Sequence, residues 1–214
     1  MAKSNRPIEP RWQARVALLV CAGLYVLLPS RLAVGPKWLL PVLVVLPLIP
    51  LSARSHRRPD DEPWVHFLAV SLVAIISAAN LVSVVLLIHH VFYAVDIGGR
   101  QLLYSAATIW ATNVIVFGIW FWEVDRGGPV KRSGAQPRLP DLQFPQMAQP
   151  SLAPSDWRPQ FIDYLYTSLA NGTSFAPADA MPLTFQMKSL FGLESLISFV
   201  TIAIVAGEAV NIIR

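Results

Sequence analysis

Charged side chains are excluded from four long blocks of this chain: residues 16–28, 64–87, 102–122 and 195–205 contain no Asp, Glu, Lys or Arg. A bilayer core about 30 Å thick takes roughly 20 apolar residues of helix to cross, and these blocks approach or reach that length. The pattern predicts helices near 12–28, 37–51, 64–93, 101–123 and 184–213. The first stops at Pro29-Ser30. The second carries Pro41, Pro47 and Pro50, each of which removes a rung of the hydrogen-bond ladder. It reads as a kinked span, the alternative being a segment that only enters the membrane. The fourth ends in Trp120-Phe121-Trp122, aromatic residues suited to the lipid headgroup level. The expected fold class is all-α: a polytopic helical membrane protein with about four transmembrane helices in 1–123.

A proline-rich connector follows over 124–159, with prolines at 129, 137, 140, 145, 150, 154 and 159. Prolines at that density forbid long helices and favour extended geometry. Leu139, Leu142, Phe144, Met147, Leu152 and Trp157 give it more apolar side chains than a free linker needs, so an ordered strap on the membrane face is expected, the alternative being a flexible linker. Asp156 with Pro159 reads as a helix start, and Asn171-Gly172 as a stop. The short helix 160–171 spans only about 16 Å. That is half a bilayer, the length of a re-entrant helix. A loop at 172–183 and the last helix, 184–213, complete the module 160–214.

Hydrophobic residues make up 54% of the 214 residues and charged ones 14%, against about 25% charged in soluble domains. The formal charge of +4 is spread over terminus and loops without a basic stripe, so no nucleic-acid partner is indicated. Loop charges of this kind set membrane orientation. With the first two helices spanning, Lys3, Arg6, Arg11, Arg15, Arg54, Arg57, Arg58, Arg126, Lys131, Arg132, Arg138 and Arg158 gather on one side. Only Arg31, Lys37 and Arg100 lie opposite. The connector is then cytoplasmic and the short helix enters from the cytoplasm; if 37–51 does not span, everything after it flips. The first helix follows four cations, as a signal peptide would, but no small-x-small cleavage site comes after it, and an uncleaved helix is expected. Cys21, the single cysteine, reads as a small buried hydrophobe.

Polar residues inside apolar helices face protein or water rather than lipid. Glu194, Ser198, Thr201 and Glu208 fall on one stripe of the last helix and are candidates to line a pathway. The plainer reading places the glutamates near opposite interfaces, with Ser and Thr bonded to their own backbone. Ala203 and Gly207 suit close helix packing, the alternative for Gly207 being a gating hinge. Asn80 and Asn113 are expected to bond across helices. His89-His90 invites a metal or proton-relay reading, but adjacent helical residues point about 100° apart, and interfacial histidines are the expectation. Glu123, Asp125 and Arg126 read as a headgroup-level ion pair. No phosphate loop, Ser-His-Asp set, zinc spacing or haem motif occurs, so neither an enzyme nor a cofactor is expected.

The stretch from Tyr164 to Thr184, with the helix after it, resembles the pore loop and inner helix of tetrameric, potassium-channel-like cation channels. In those channels a short pore helix runs into Thr-x-Gly-Tyr-Gly-Asp, then a few residues with a Pro, then the inner helix. Here Ser174, Phe175, Asp179 and Pro182 fit by type, whereas Ala176, Pro177 and Ala178 replace the permissive filter positions. A filter works by aiming successive carbonyls at one axis, which glycines permit and Ala-Pro-Ala resists. Potassium-selective geometry is therefore not expected. Thr173 and Ser174 could offer hydroxyls to an ion, though capping the preceding helix is the simpler role. A ring of Asp179 carboxylates would concentrate cations; its alternative role is to cap the turn or pair with Lys188. Potassium channels present this loop from outside, and glutamate-receptor channels show the inverted arrangement.

Phe121–Pro129, Phe144–Met147 and 164–184 together also resemble a group of uncharacterised bacterial integral membrane proteins. That likeness implies a multi-pass protein of the bacterial cytoplasmic (inner) membrane with a channel-like C-terminus. The expectation is thus a homotetramer in the lipid bilayer forming a weakly selective pore for monovalent cations. The alternative is a non-conducting scaffold or accessory subunit that keeps the channel-like fold.

Overall fold

The computed structural model describes residues 9–54, 63–93, 98–133, 138–174 and 180–213. It is 79% helical and nearly all-α. Four helices come first: α1 (Trp12–Leu27), α2 (Leu39–Arg54), α3 (Pro63–Phe92) and α4 (Gly99–Val124). Two one-turn helices, α5 (Pro129–Arg132) and α6 (Pro145–Ala148), punctuate the connector. They are followed by α7 (Phe161–Ser174) and α8 (Phe185–Ile213). By length and composition, Trp64–Phe92, Gly99–Gly127 and Phe185–Glu208 are apolar enough to cross a membrane; Trp12–Leu27 and Leu39–Ile49 are shorter apolar helices. A membrane protein is what these helices suggest.

The ends of the helices can be placed from their contacts. Arg11, just before α1, and His66, in the first turn of α3, both reach Glu123 at the end of α4. Leu48, late in α2, lines a small cavity with Arg11, Val65 and Glu123. Successive helices α1 to α4 therefore run antiparallel, and one end of the bundle collects the start of α1 and α3 and the close of α2 and α4. At the opposite half, Ser83 donates its hydroxyl to the Leu32 carbonyl, while Tyr25 both donates to and accepts from the Val34 backbone. Cys21 is fully buried in the apolar core.

α4 is the central helix. α1, α3, α7 and α8 all pack on it, and α3 also touches α8. Its buried residues cover most of its circumference, from Leu102 and Ile109 to Phe117, Ile119 and Phe121. This is the burial expected of a helix that is apolar all round. The proline-rich helix α2 is continuous despite Pro41, Pro47 and Pro50, and among the described residues it packs chiefly on α1 and, more lightly, on α3.

A two-residue antiparallel bridge, β1 (Leu142–Gln143) with β2 (Met181–Pro182), is an addition that helix-length reasoning did not anticipate. It joins the connector to the start of α8. In the connector, Leu142 and Phe144 are buried, and Phe144 packs edge-on against Trp157 and Tyr164. Leu139 and Leu152 are exposed. The strap is thus held by some of the apolar residues that suggested it, and not by those two.

Candidate functional site

The C-terminal half is built around α7, and its sequence explains how close it comes to its neighbours. Gly118 of α4 faces Leu165, where an added Cβ would meet the Leu165 Cα at 3.0 Å. Gly172 of α7 faces Ser198 and Val114, which a Cβ would meet at 3.1 and 3.3 Å. Two glycines in helix interiors cost helix propensity and here allow three backbones to converge. Asn171-Gly172 reads as a stop, but α7 continues to Ser174. The correction has a tertiary cause: the Asn171 side chain is engaged across to α8, and Gly172 keeps helical geometry because space is short.

The N-terminal end of α7 is fixed at the end of α4. The Asp163 carboxylate accepts from the Gln160 N–H at 2.7 Å, the returning half of a capping box. Burial pushes the Asp163 carboxyl above its ordinary value, and that hydrogen bond works against the shift. Tyr164 is fully buried and donates to the Asp125 carboxylate at 2.7 Å. Burial raises its phenol well above the usual value, so it remains a donor. Asp125 also accepts from the Asp141 and Leu142 N–H groups.

Arg132 completes this anchor. It donates to the Trp122 and Asp125 carbonyls and pairs with both carboxylate oxygens of Glu9, at 3.1 and 2.8 Å. The turn that brings these groups together has positive φ at Arg126, Gly127 and Gly128, the left-handed region that glycine occupies freely. Glu123, Asp125 and Arg126 read as a simple headgroup ion pair. An Asp125–Arg126 approach of 3.6 Å exists, but Asp125 is fully buried and serves as the hub of the strap.

Farther along α7 lies a second polar cluster. The Ser168 hydroxyl touches both the Val114 carbonyl oxygen, at 2.6 Å, and a carboxyl oxygen of Glu194. Asn171 donates to the other Glu194 oxygen at 2.8 Å and to the Phe191 carbonyl. Asn113 of α4 donates to the Ser198 hydroxyl at 3.1 Å and to the Glu194 carbonyl. Ser195 donates to Asn171. Six side chains from α4, α7 and α8 thus form one network around Glu194, with Ser168 and Asn171 at its carboxyl and Asn113 at its backbone carbonyl.

At its C-terminal end, α7 lies beside the first half of α4, where the Trp110 indole donates to the Gly172 carbonyl. The chain then reappears at the strap: Leu183 N–H donates to the Asp141 carbonyl, and the Thr184 hydroxyl caps α8 through the Met187 N–H. α8 runs from there antiparallel to α4, with Phe191 stacked on Phe121. The start of α7 and the start of α8 therefore share one end of the bundle, and the tip of α7 stops partway along α4.

Of the residues singled out in the sequence, Phe175, Ala176, Pro177, Ala178 and Asp179 lie outside the described residues, as does the side chain of Ser174. Thr173 is exposed at the tip of α7, its hydroxyl bonded to the Leu169 and Ala170 carbonyls. Glu194, Ser198 and Thr201 are fully buried within a single chain. Thr201 bonds its own helix backbone. Glu208 lies apart from them, lining an open groove between α3 and α8 with Phe92, Phe199, Ala203 and Gly207. Ala203 and Gly207 are exposed there, and a Cβ added at Gly207 would meet nothing within 4 Å. His90 bonds the Leu86 carbonyl and His89 contacts Tyr93; no group of metal-ligating side chains occurs among the described residues.

The sequence reading passes over Ser168 and Ser195, and gives Asn171 only as a helix stop, Tyr164 only as the start of the pore-like stretch and Arg132 only as an orientation charge. An i, i+3 pair of Ser168 and Asn171 on an otherwise apolar face was the available signal for two of them. Comparison of the chain with family models, curated proteins and solved structures finds no match.

Proposed function

We propose that α7 and the stretch up to α8 form a re-entrant loop, and that four copies of the chain assemble around it as a weakly selective, channel-like cation pore. One observation carries this reading: a 14-residue helix enters beside α4, stops partway, and the next long helix starts from the same end. About 21 Å of helix cannot cross a bilayer core of about 30 Å. Backbone at that depth must be buried in protein or line water. In this proposal α1 and α2 also span, giving five crossings, and the cation-rich strap end is cytoplasmic by the positive-inside rule.

The buried stripe changes which face of α8 would meet a pathway. Glu194, Ser198 and Thr201 are occupied within the chain, so the lining falls to the exposed side, with Leu196, Phe199, Ala203 and Gly207. Such a lining is apolar, and charge selection is left to Asp179. The same burial favours the second reading, a non-conducting scaffold, because the polar groups of the last helix are spent on holding α7 in place.

Intact-complex mass measured from native-like lipid tests the proposal. One chain supplies one re-entrant loop, so a central pore needs a tetramer. A tetramer that also passes potassium in empty liposomes supports the channel. A monomer or dimer overturns it, and a tetramer without flux leaves the scaffold.

A further inference from the structure

The Ser168 hydroxyl has one proton and two oxygen neighbours. One is the Val114 carbonyl oxygen, which can only accept; the other is a carboxyl oxygen of Glu194. If Glu194 were a carboxylate, both neighbours would be acceptors. Ser168 could satisfy only one, and the other pair of oxygens would meet with no proton between them. The second Glu194 oxygen accepts from Asn171, so its role as acceptor is already set. The proton count closes only if the oxygen facing Ser168 carries a hydrogen.

The surroundings agree. Glu194 is fully buried, and its side-chain partners, Ser168 of α7 and Asn171 of α7, are neutral. From α4, Asn113 reaches the Glu194 backbone and Val114 reaches Ser168; from α8 itself, Ser195 and Ser198 join the network. Among the described residues, no Lys, Arg or His forms an ion pair with it. An ionised carboxylate without a cation is a costly occupant of a membrane bundle. Neutral amides and hydroxyls, by contrast, suit a carboxylic acid as both donor and acceptor.

We propose that Glu194 is a proton-binding site held as the neutral carboxylic acid, whose hydrogen is donated to Ser168 while Ser168 donates to the Val114 carbonyl. One proton thereby fastens α7 to α8, and the serine passes the link to α4. No bond other than hydrogen bonds is made or broken, and the ligand is the proton itself. The assignment is independent of any pore.

Infrared spectroscopy of the full-length protein in lipid at neutral pH, in light and heavy water, tests it. The expected result is a carbonyl-stretch band of a protonated carboxyl group that shifts down on deuteration. Carbon-13 labelling of glutamate moves the band in the wild type, which needs no variant. Glu194→Gln abolishes it while keeping the fold, because the amide donates to Ser168 and accepts from Asn171 as the acid does. Ser168→Ala leaves the band present but shifted. A wild-type protein with no such band at neutral pH overturns the proposal. So does a band that glutamate labelling does not move, or one that survives in a folded Glu194→Gln protein.

Discussion

The Tyr164 hydroxyl donates to the Asp125 carboxylate at 2.7 Å, and both residues are fully buried. Tyr164 belongs to α7 and Asp125 to the close of α4, so this bond sets where α7 begins. Removing the hydroxyl in Tyr164→Phe leaves a buried carboxylate short of a donor, at a cost of about 1–3 kcal/mol. Asp125→Ala leaves the Tyr164 hydroxyl and the Asp141 and Leu142 N–H groups without their acceptor, and each unsatisfied buried donor costs about 1–3 kcal/mol. Thermal unfolding in lipid nanodiscs checks both, with the larger fall in Tm expected for Asp125→Ala.

Glycine-to-alanine changes should differ in sign along the chain. In an exposed helix interior the change gains about 1 kcal/mol. At Gly207 the new Cβ meets nothing within 4 Å, so monomer stability rises. At Gly118 it comes 3.0 Å from the Leu165 backbone, and overpacking of that kind costs about 1–3 kcal/mol. Equal Tm shifts for the two variants would contradict the packing described above. A Gly207→Ala protein that loses its oligomeric state would place that glycine at a subunit contact.

The raised carboxyl of Asp163 makes a pH prediction with a definite sign. Its folded form holds a proton more tightly than its unfolded form, so its contribution to stability is full below the ordinary aspartate value. That contribution is lost as pH rises from there through the folded value. Asp163→Asn keeps an acceptor for the Gln160 N–H and removes the titration. The variant should therefore be more stable than wild type at neutral pH and no more stable in acid. Denaturation curves at the two pH values decide, and a variant less stable at neutral pH would contradict it.

Two substitutions address the proposed pore. In the proposed tetramer, Asp179→Asn would remove a ring of carboxylates and should lower the preference for cations over anions by several-fold. Glycine at Ala176 frees a backbone position that Pro177 otherwise restricts, and should alter single-channel conductance. Bilayer recordings read both, and unchanged currents in both variants would count against the filter assignment.

Helix length was legible because it depends on charge exclusion, a property of the chain alone: 64–93 was expected and α3 spans Pro63–Phe92. The end of α7 was not, because Asn171 and Gly172 carry strong local stop signals that contacts with α8 override. The polar stripe of α8 was found by spacing, but spacing cannot say what faces it. Ser168 and Asn171 lie 26 and 23 residues from Glu194 and are visible as partners only once α7 is folded against α8. The role of Arg132 was similarly hidden, since its carboxylate partner is 123 positions away.

That last separation matters to anyone shortening or tagging the protein. Glu9 accepts from the Trp122 indole as well as from Arg132, so the segment before α1 acts as a clasp on the connector. A chain cut back to Trp12 would keep every apolar helix and yet leave the buried Arg132 guanidinium without its carboxylate and the Trp122 indole N–H without its acceptor. An N-terminal fusion crowding Glu9 would loosen the strap, and with it the seat of α7, at the far end of the sequence.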